Sequence, residues 1–245
     1  ALALLQATMT TPPAPRAVED YPFQVGENFE YAAKLGIIKL GRASMEVAAL
    51  DTVRGMEAFR LKFELQGGAL GFDINNVLRS WVSTHDFLSR KFEQDFDEDG
   101  ELKHRVYDIY PDSGFFHERV KDKIEPSVAE PLDDAAFFYF IRFTPLEVGE
   151  TYRYNRYFRQ DKNPVIIRVE KREECTLPGD VKAHCLVLRP IVGETGMFAP
   201  KAEARIWLTD DERRIPVRIK SKFMFGTITL ELENMVLPQA SANQS

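Results

Sequence analysis

The chain has 245 residues, of which 44% are hydrophobic and 29% charged, a balance typical of a globular protein and not of a disordered or fibrous one. It carries 38 acidic and 32 basic residues, so the formal net charge is −6. This is the wrong sign for a protein that neutralises phosphates, which excludes nucleic acid as an expected partner. The 18 Phe and 8 Tyr residues favour strands over helices.

The first twenty residues indicate the compartment. Residues 1–5 are apolar and are followed by Gln6 and Ala7, which predicts the remnant of a signal peptide. Residues 8–17 are a Thr/Pro-rich tether, and the whole region before the folded domain is residues 1–20. The alternative is the frayed terminus of a cytoplasmic protein. We therefore expect an exported, periplasmic protein. Because no Cys follows the apolar run and no stretch of about 18 apolar residues occurs elsewhere, neither a lipid attachment site nor a transmembrane span is predicted.

Strand-like alternation then recurs through residues 21–237 and is broken at short intervals by Gly, Pro, Asp and Asn. The predicted strands are 28–34, 37–50, 57–66, 77–83, 89–97, 102–110, 114–120, 151–159, 164–175, 181–190, 202–209, 214–225 and 227–236. So many strands, with no linker between them, predict one mainly β domain built on a large curved antiparallel sheet or barrel. Residues 238–245 are predicted to be a disordered tail.

One segment breaks the strand pattern. Residues 132–143 begin with two candidate helix caps, Asp133 and Asp134, and end before Pro145, which predicts a short helix, although the aromatic run could also form a buried strand. Its apolar residues occupy all sides, so the helix needs cover on more than one face. It could plug one end of the sheet as part of the core, or it could form a lid over a ligand cavity.

Acidic and histidine residues are the candidate metal ligands of this sequence. Asp95, Asp97, Asp99 and Gly100 copy the first half of a calcium-binding loop, but its twelfth position falls on Val106, so an Asp-Gly hairpin turn explains them better. The four histidines are His85, His104, His117 and His184, and none has the spacing of a zinc helix. His104 and His117 could meet across a hairpin. No metal, cofactor or catalytic residue is predicted.

Cys175 and Cys185 flank a turn at Leu177-Pro178-Gly179-Asp180. The parity of the two strands predicts that both thiols lie on one buried face, which Cys175 would share with Val165, Ile167 and Val169. A register symmetric about Asp180 places the cysteines directly opposite each other and allows a disulfide. A tighter turn makes them diagonal or opposed in face, and no bond is then expected.

Three stretches of the sequence resemble bacterial domain-of-unknown-function family 3108, a group of exported proteins. They are Gly26-Glu27 with Tyr31, Gly41 and Val47; Pro131-Leu132-Asp133 through Ala136, Phe138-Tyr139-Phe140-Ile141-Arg142, Leu146, Val148 and Gly149; and Ile206-Trp207-Leu208-Thr209-Asp210-Asp211 with Arg214, Pro216 and Val217. The resemblance covers residues 23–236. It implies no activity and no catalytic residues. By looser analogy it implies an unclosed β-barrel crossed by one short helix, similar to the lipoprotein carriers of the LolA and LolB group.

These observations leave three functional hypotheses. The preferred one is a binding or carrier module for an apolar or amphipathic small molecule, because the helix concentrates large aromatic residues that could line a cavity. The candidate ligand-binding residues are Phe137, Phe138, Phe140, Arg142 and Phe143. Arg142 could hold a polar head group or pair with an acidic strand residue. The alternatives are an assembly factor that contacts other envelope proteins and a glycan-directed enzyme with two carboxylates in one cleft.

Overall fold

The computed structural model describes residues 16–69, 72–98, 100–194, 197–223 and 226–238. The predicted signal-peptide remnant and most of the predicted tail therefore lie outside the described residues. The strands are β1 (Asn28–Leu35), β2 (Ile38–Val53), β3 (Met56–Ala69), β4 (Phe72–Ser83), β5 (Ser89–Glu98), β6 (Glu101–Tyr110), β7 (Phe115–Glu118), β8 (Lys123–Pro126), β9 (Thr151–Tyr154), β10 (Val165–Leu177), β11 (Val181–Ile191), β12 (Arg205–Thr209), β13 (Pro216–Phe223) and β14 (Gly226–Val236), and the α-helix is α1 (Asp134–Phe140).

All fourteen strands belong to one antiparallel sheet. Its order runs from β8 back to β1, and then from β14 back to β9, so β1 pairs with β14 and the two edges are β8 and β9. The sheet is not closed by strand pairing. This confirms the predicted mainly β fold with a large, unclosed antiparallel sheet and one short helix.

The gap between β8 and β9 is bridged by the two chain segments that follow these strands. The Leu132 amide donates to the Arg156 carbonyl at 2.6 Å, the Phe158 amide donates to the Leu132 carbonyl at 2.9 Å, and Ser127 Oγ donates to the Phe158 carbonyl at 2.8 Å. Irregular chain therefore satisfies polar backbone groups where the barrel lacks strands.

The inner face of the sheet surrounds one large hydrophobic core. On β14 the predicted alternation is confirmed, because Leu230 is buried and Ile228 and Leu232 pack against the same core. The segment at residues 16–27 crosses one end of the barrel, where Tyr21 Oη donates to the Thr84 carbonyl at 3.0 Å. We call this end the base. The last residues of β1, β3 and β5 and the first residues of β2, β4 and β6 lie at the other end.

Several predicted boundaries were wrong. The predicted strand 114–120 is the shorter strand β7, and β8, which follows it after a turn in which Asp122 has a positive φ, was not predicted. The predicted strand 151–159 ends at Tyr154, because the following residues turn to pair with Leu132. The predicted helix is shorter than 132–143 and contains seven residues. Among the described residues, no helix has the length and apolar character needed to cross a membrane.

Two glycines allow β2 and β3 to approach each other closely beyond the helix. Gly41 and Gly67 are directly opposed across these strands. A Cβ atom at Gly41 would overlap the carbonyl oxygen of Gln66, so no other residue fits at this position without a shift of the backbone.

Candidate functional site

Helix α1 begins at a buried polar cluster. Asp133 caps the helix, because its Oδ1 accepts from the amides of Ala135 and Ala136 at 3.0 Å each. Its Oδ2 accepts from the hydroxyls of Ser80 at 2.5 Å and Ser89 at 2.7 Å. These bonds fix the start of the helix to β4 and β5. The predicted cap at Asp133 is thus observed, whereas Asp134 is the first helical residue and does not cap.

Both carboxyl groups at the helix start have raised pKa values. Burial raises the pKa of Asp133 to about 7, against the hydrogen bonds from Ser80, Ala136 and Ser89, which lower it. Burial also raises the pKa of Asp134, which accepts from Tyr157 Oη at 2.9 Å. Because every one of these oxygens is engaged and Asp133 has no exposed surface, the pair does not form an open catalytic cleft.

The aromatic residues of α1 pack into the core on several sides. Phe140 is fully buried and makes edge contacts with Phe143 at 5.6 Å and Tyr154 at 5.1 Å between ring centroids. Phe137 is buried and stacks with Tyr157. Phe137 and Phe140 therefore lie in the hydrophobic core, and Phe143 packs against it.

Arg142 is buried and paired with Glu27. Its Nη1 and Nη2 donate to the two Glu27 carboxylate oxygens at 2.5 and 3.0 Å, in a bidentate ion pair. The guanidinium also donates to the carbonyls of Pro22 at 3.1 Å and Arg213 at 3.0 Å. Both side chains are almost fully buried, so the Arg142–Glu27 ion pair joins segments of the fold and Arg142 is not exposed at a surface.

The three stretches that resemble the family meet at Arg142. Glu27 belongs to the first stretch, Arg142 to the second, and the accepting carbonyl of Arg213 lies within the third. Asp211 stabilises the turn that contains the Arg213 carbonyl, because its Oδ1 accepts from the amides of Arg213 at 3.1 Å and Arg214 at 3.0 Å. Arg214 then donates to the Thr144 carbonyl. Sequence spacing gave no sign of this convergence, since Glu27 and Arg142 are 115 residues apart.

Phe138 lies at the boundary between the packed core and a more open region. Its ring stacks on Phe63 at 5.6 Å and contacts Phe198 edge-on at 5.6 Å. Phe63 is directly opposite Leu78 on β4, and Leu65 follows on β3. Leu65, Leu78 and Phe198 pack against the core but remain partly exposed. We call Phe63, Leu65, Leu78, Phe138 and Phe198 the apolar floor.

The apolar floor continues onto polar residues across β5 and β6. The strand register places Gln94 and then Arg105 beside Leu78, and Phe96 and then Lys103 beyond Leu65 and Asn76. Residues in register share a face of the sheet, so these side chains project to the same inner side. Sequence reasoning identified Phe138 but missed the rest of this surface, because its members lie on six separate segments.

Two open hollows lie along the same strands. One of about 310 Å³ is lined by Gln66, Gly67, Ile74, Asn75 and Asp97. Another of about 530 Å³ is lined by Lys39, Leu40, Gly41, Arg42, Gln66 and Gly67. The residues that line both hollows lie near the ends of the strands that are opposite the base and the Arg142–Glu27 ion pair.

Cys175 and Cys185 form a disulfide on the outer face of the sheet. The directly opposed register is wrong, because Cys175 pairs with Ala183 and Cys185 pairs with Glu173. The expectation that a diagonal pair stays unbonded is also wrong, since the Cα atoms are 5.9 Å apart, within disulfide reach.

The cysteines do share a face, but it is not the core face of Val165, Ile167 and Val169. A β-bulge between Val169 and Lys171 reverses the alternation and turns Cys175 outward. The disulfide packs there with Val187, Trp207 and Val217 in a small second cluster.

The candidate metal ligands are dispersed. Asp95 accepts from His104 Nδ1 and Arg79 Nη1 at 2.5 Å each, so it is engaged in side-chain pairs on the outer face. The hairpin interpretation of Asp95, Asp97 and Gly100 is confirmed by the pairing of β5 with β6, while Asp99 lies outside the described residues. His117 is opposite Asp108 and does not meet His104. Within the described ranges, no group of three metal-ligating side chains occurs.

Comparisons with known proteins extend over nearly the whole sheet. The fold is similar to that of a β-barrel-like protein of domain-of-unknown-function family DUF1849 from Brucella abortus, with 12% identity, a TM-score of 0.58, and coverage of 88% of this chain and 99% of that one. A hypothetical protein from Chlamydia trachomatis has 10% identity, a TM-score of 0.35, and coverage of 94% and 96%. No curated protein matches the chain. The family model described as "Protein of unknown function (DUF3108)" matches residues 30–233, and the chain therefore belongs to that family.

Proposed function

We propose that this protein is an exported binding module that takes the apolar part of an amphipathic molecule on the apolar floor. The observation that carries the proposal is the partial exposure of Leu65, Leu78 and Phe198 on the inner face of a curved sheet. Apolar residues on such a face normally belong to the sealed core, so an open group of them marks a binding surface.

The position of the apolar floor divides the candidate ligand residues into three groups. Phe138 belongs to the apolar floor, where it contacts Phe63 and Phe198. Phe137, Phe140 and Phe143 pack among other aromatic residues of the core and do not touch the ligand. Arg142 holds the base together through Glu27.

The polar residues that border the apolar floor on β6 favour a ligand with an anionic head group. Arg105 and Lys103 are on the strand that follows β5, in register with Leu78 and Leu65 through the intervening strands. Three strand spacings separate Phe63 from Arg105, a distance of about 15 Å. An acyl chain on the floor could thus place a carboxylate or phosphate beside these cations.

Export to an oxidising compartment is supported by the disulfide between Cys175 and Cys185. Disulfides persist in the periplasm and outside the cell and are rare in the reducing cytosol. A fusion of the natural gene to a reporter that is active only after export tests this. Activity is expected, and a reporter retained in the cytoplasm would refute export.

The other two hypotheses receive less support. Edge strand β8 has four residues and carries Lys123 and Pro126, which discourage strand addition by a partner. The buried carboxylates at the start of α1 are engaged in hydrogen bonds, which does not favour a glycan-directed enzyme. We therefore retain the binding function.

The test uses N-phenyl-1-naphthylamine, whose fluorescence rises in an apolar site. The parent protein should bind the probe, and a fatty acid should displace it. Leu78→Gln should weaken probe binding about tenfold. The substitution removes an apolar side chain that the bound probe would cover, and burying such a side chain contributes about 1.5 kcal/mol.

Leu102→Gln is the matched control, because Leu102 is 77% exposed and lies on the outer face. It should bind the probe as the parent does. Absence of probe binding by the folded parent, or equal loss in both variants, would contradict a site on the apolar floor.

A further inference from the structure

The outer face of the sheet carries a row of cations on the side opposite the core. Arg168 on β10 is directly opposite Arg189 on β11, and Arg205 on β12 is directly opposite Lys220 on β13. Leu188 pairs with Ile206, and this register brings Arg189 level with Arg205. Four neighbouring strands thus present four cations at one level, and we call them the basic row.

The basic row is only partly neutralised. Glu170 pairs with Arg205 at 2.7 Å. Within the part of the chain that the structure describes, Arg168, Arg189 and Lys220 have no ion pair, and Arg189 Nε is buried without a hydrogen-bond partner. Like charges directly opposed across strands destabilise a sheet. In a protein of net charge −6, such an arrangement indicates an anionic partner.

Apolar residues adjoin the basic row on the same face. Ile166 is directly opposite Ile191, two residues along their strands from Arg168 and Arg189, so all four side chains share the outer face. Both isoleucines are partly exposed. Cations beside apolar side chains on one broad sheet match the surface of an anionic membrane, where phosphates lie in a plane above acyl chains.

We propose that the basic row, with Ile166 and Ile191, docks this protein on an anionic lipid surface. Arginine binds lipid phosphates bidentately, which suits Arg168 and Arg189. This surface is on the opposite face of the sheet from the apolar floor, so the proposal does not depend on the proposed ligand.

The test is co-sedimentation with phosphatidylcholine vesicles that contain or lack phosphatidylglycerol. The parent should bind the vesicles with phosphatidylglycerol and be released by added salt. The triple variant Arg168→Gln, Arg189→Gln, Lys220→Gln should bind roughly 100-fold more weakly, because each cation near an anionic surface contributes about fivefold. It should be no less stable to heat than the parent, because opposed like charges have been removed.

The control is Arg119→Gln, Lys121→Gln, Lys123→Gln, which changes the net charge equally at exposed residues around β8. It should keep parental binding. Equal loss in the two triple variants, equal binding to vesicles without phosphatidylglycerol, or binding to heparin but not to vesicles would each overturn the proposal.

Discussion

The base of the barrel and the apolar floor are lined by similar residues and differ in how they are covered. At the base, Arg142 pairs with Glu27 and the segment at residues 16–27 crosses the opening. On the floor, Leu65 and Leu78 remain partly exposed on strands that extend beyond the helix. Aromatic content alone therefore does not identify a ligand site. The chain segments and ion pairs that cover the aromatic residues decide which of them are accessible.

The largest effect should follow from breaking the buried Arg142–Glu27 ion pair at the base. Arg142→Met leaves the Glu27 carboxylate buried without a partner, so the free energy of unfolding should fall by about 3–5 kcal/mol in a urea titration. The double variant Arg142→Met, Glu27→Met should recover part of that loss, because no buried charge remains. If the free energy of unfolding of Arg142→Met lies within about 1 kcal/mol of the parent value, the ion pair does not stabilise the base as proposed.

A matched pair of aromatic substitutions compares the two regions directly. Phe140→Ala removes a ring with no exposed surface and should cost about 3–5 kcal/mol of unfolding free energy. Phe198→Ala should cost less than half as much, because Phe198 is partly exposed, and it should weaken binding of the naphthylamine probe. The same urea titration measures both variants. Equal losses would mean that the floor is as closed as the base.

The capping cluster should make stability depend on pH. Burial raises the pKa of Asp133 to about 7, above the value of about 3.9 in an unfolded chain. The folded state therefore holds this proton more tightly, and the contribution is complete below about pH 4 and is lost as the pH rises through about 7.

Asp133→Asn removes this titration while keeping an acceptor for the helix amides. The stability of the parent relative to the variant should fall by a few kcal/mol between about pH 4 and pH 7, measured by urea titration at each pH. Parallel pH profiles for the two proteins would show that Asp133 does not bind the proton more tightly in the fold.

The smallest of these effects should come from the disulfide, because it closes a loop of only 10 residues in sequence separation. Replacing both cysteines with Ala should lower the free energy of unfolding by about 2–3 kcal/mol. Probe binding should not change, because the bond lies on the outer face. A mass gain of two hydrogens on reduction checks the bond, and an unchanged mass would show that it is absent.

The sequence predicted local features well because they depend on neighbouring residues. The alternation on β14 and the Asp133 cap are short-range patterns, and both are observed. The cysteine register failed because the turn is centred on Gly179 and not on Asp180, so that Leu177 pairs with Val181. The predicted face failed because a bulge between Val169 and Lys171 reverses every later side chain on β10.

The functional surface could not be predicted in the same way. The apolar floor joins residues of β3, β4, α1 and the segment at Phe198, and the partner of Arg142 lies 115 residues away. Such contacts follow from how the sheet curves, and no local pattern records that curvature. The aromatic run therefore located the helix correctly while giving no means to separate Phe138, at the floor, from the enclosed Phe140.

The most direct test of an open floor beside a closed base is a crystal structure of the protein soaked with a bromine-tagged fatty acid. We expect anomalous bromine density against Leu65, Leu78 and Phe198, with the Arg142 to Glu27 ion pair unchanged. Bromine density among Phe137, Phe140 and Phe143, or a floor that remains empty while the naphthylamine probe still binds, would contradict it.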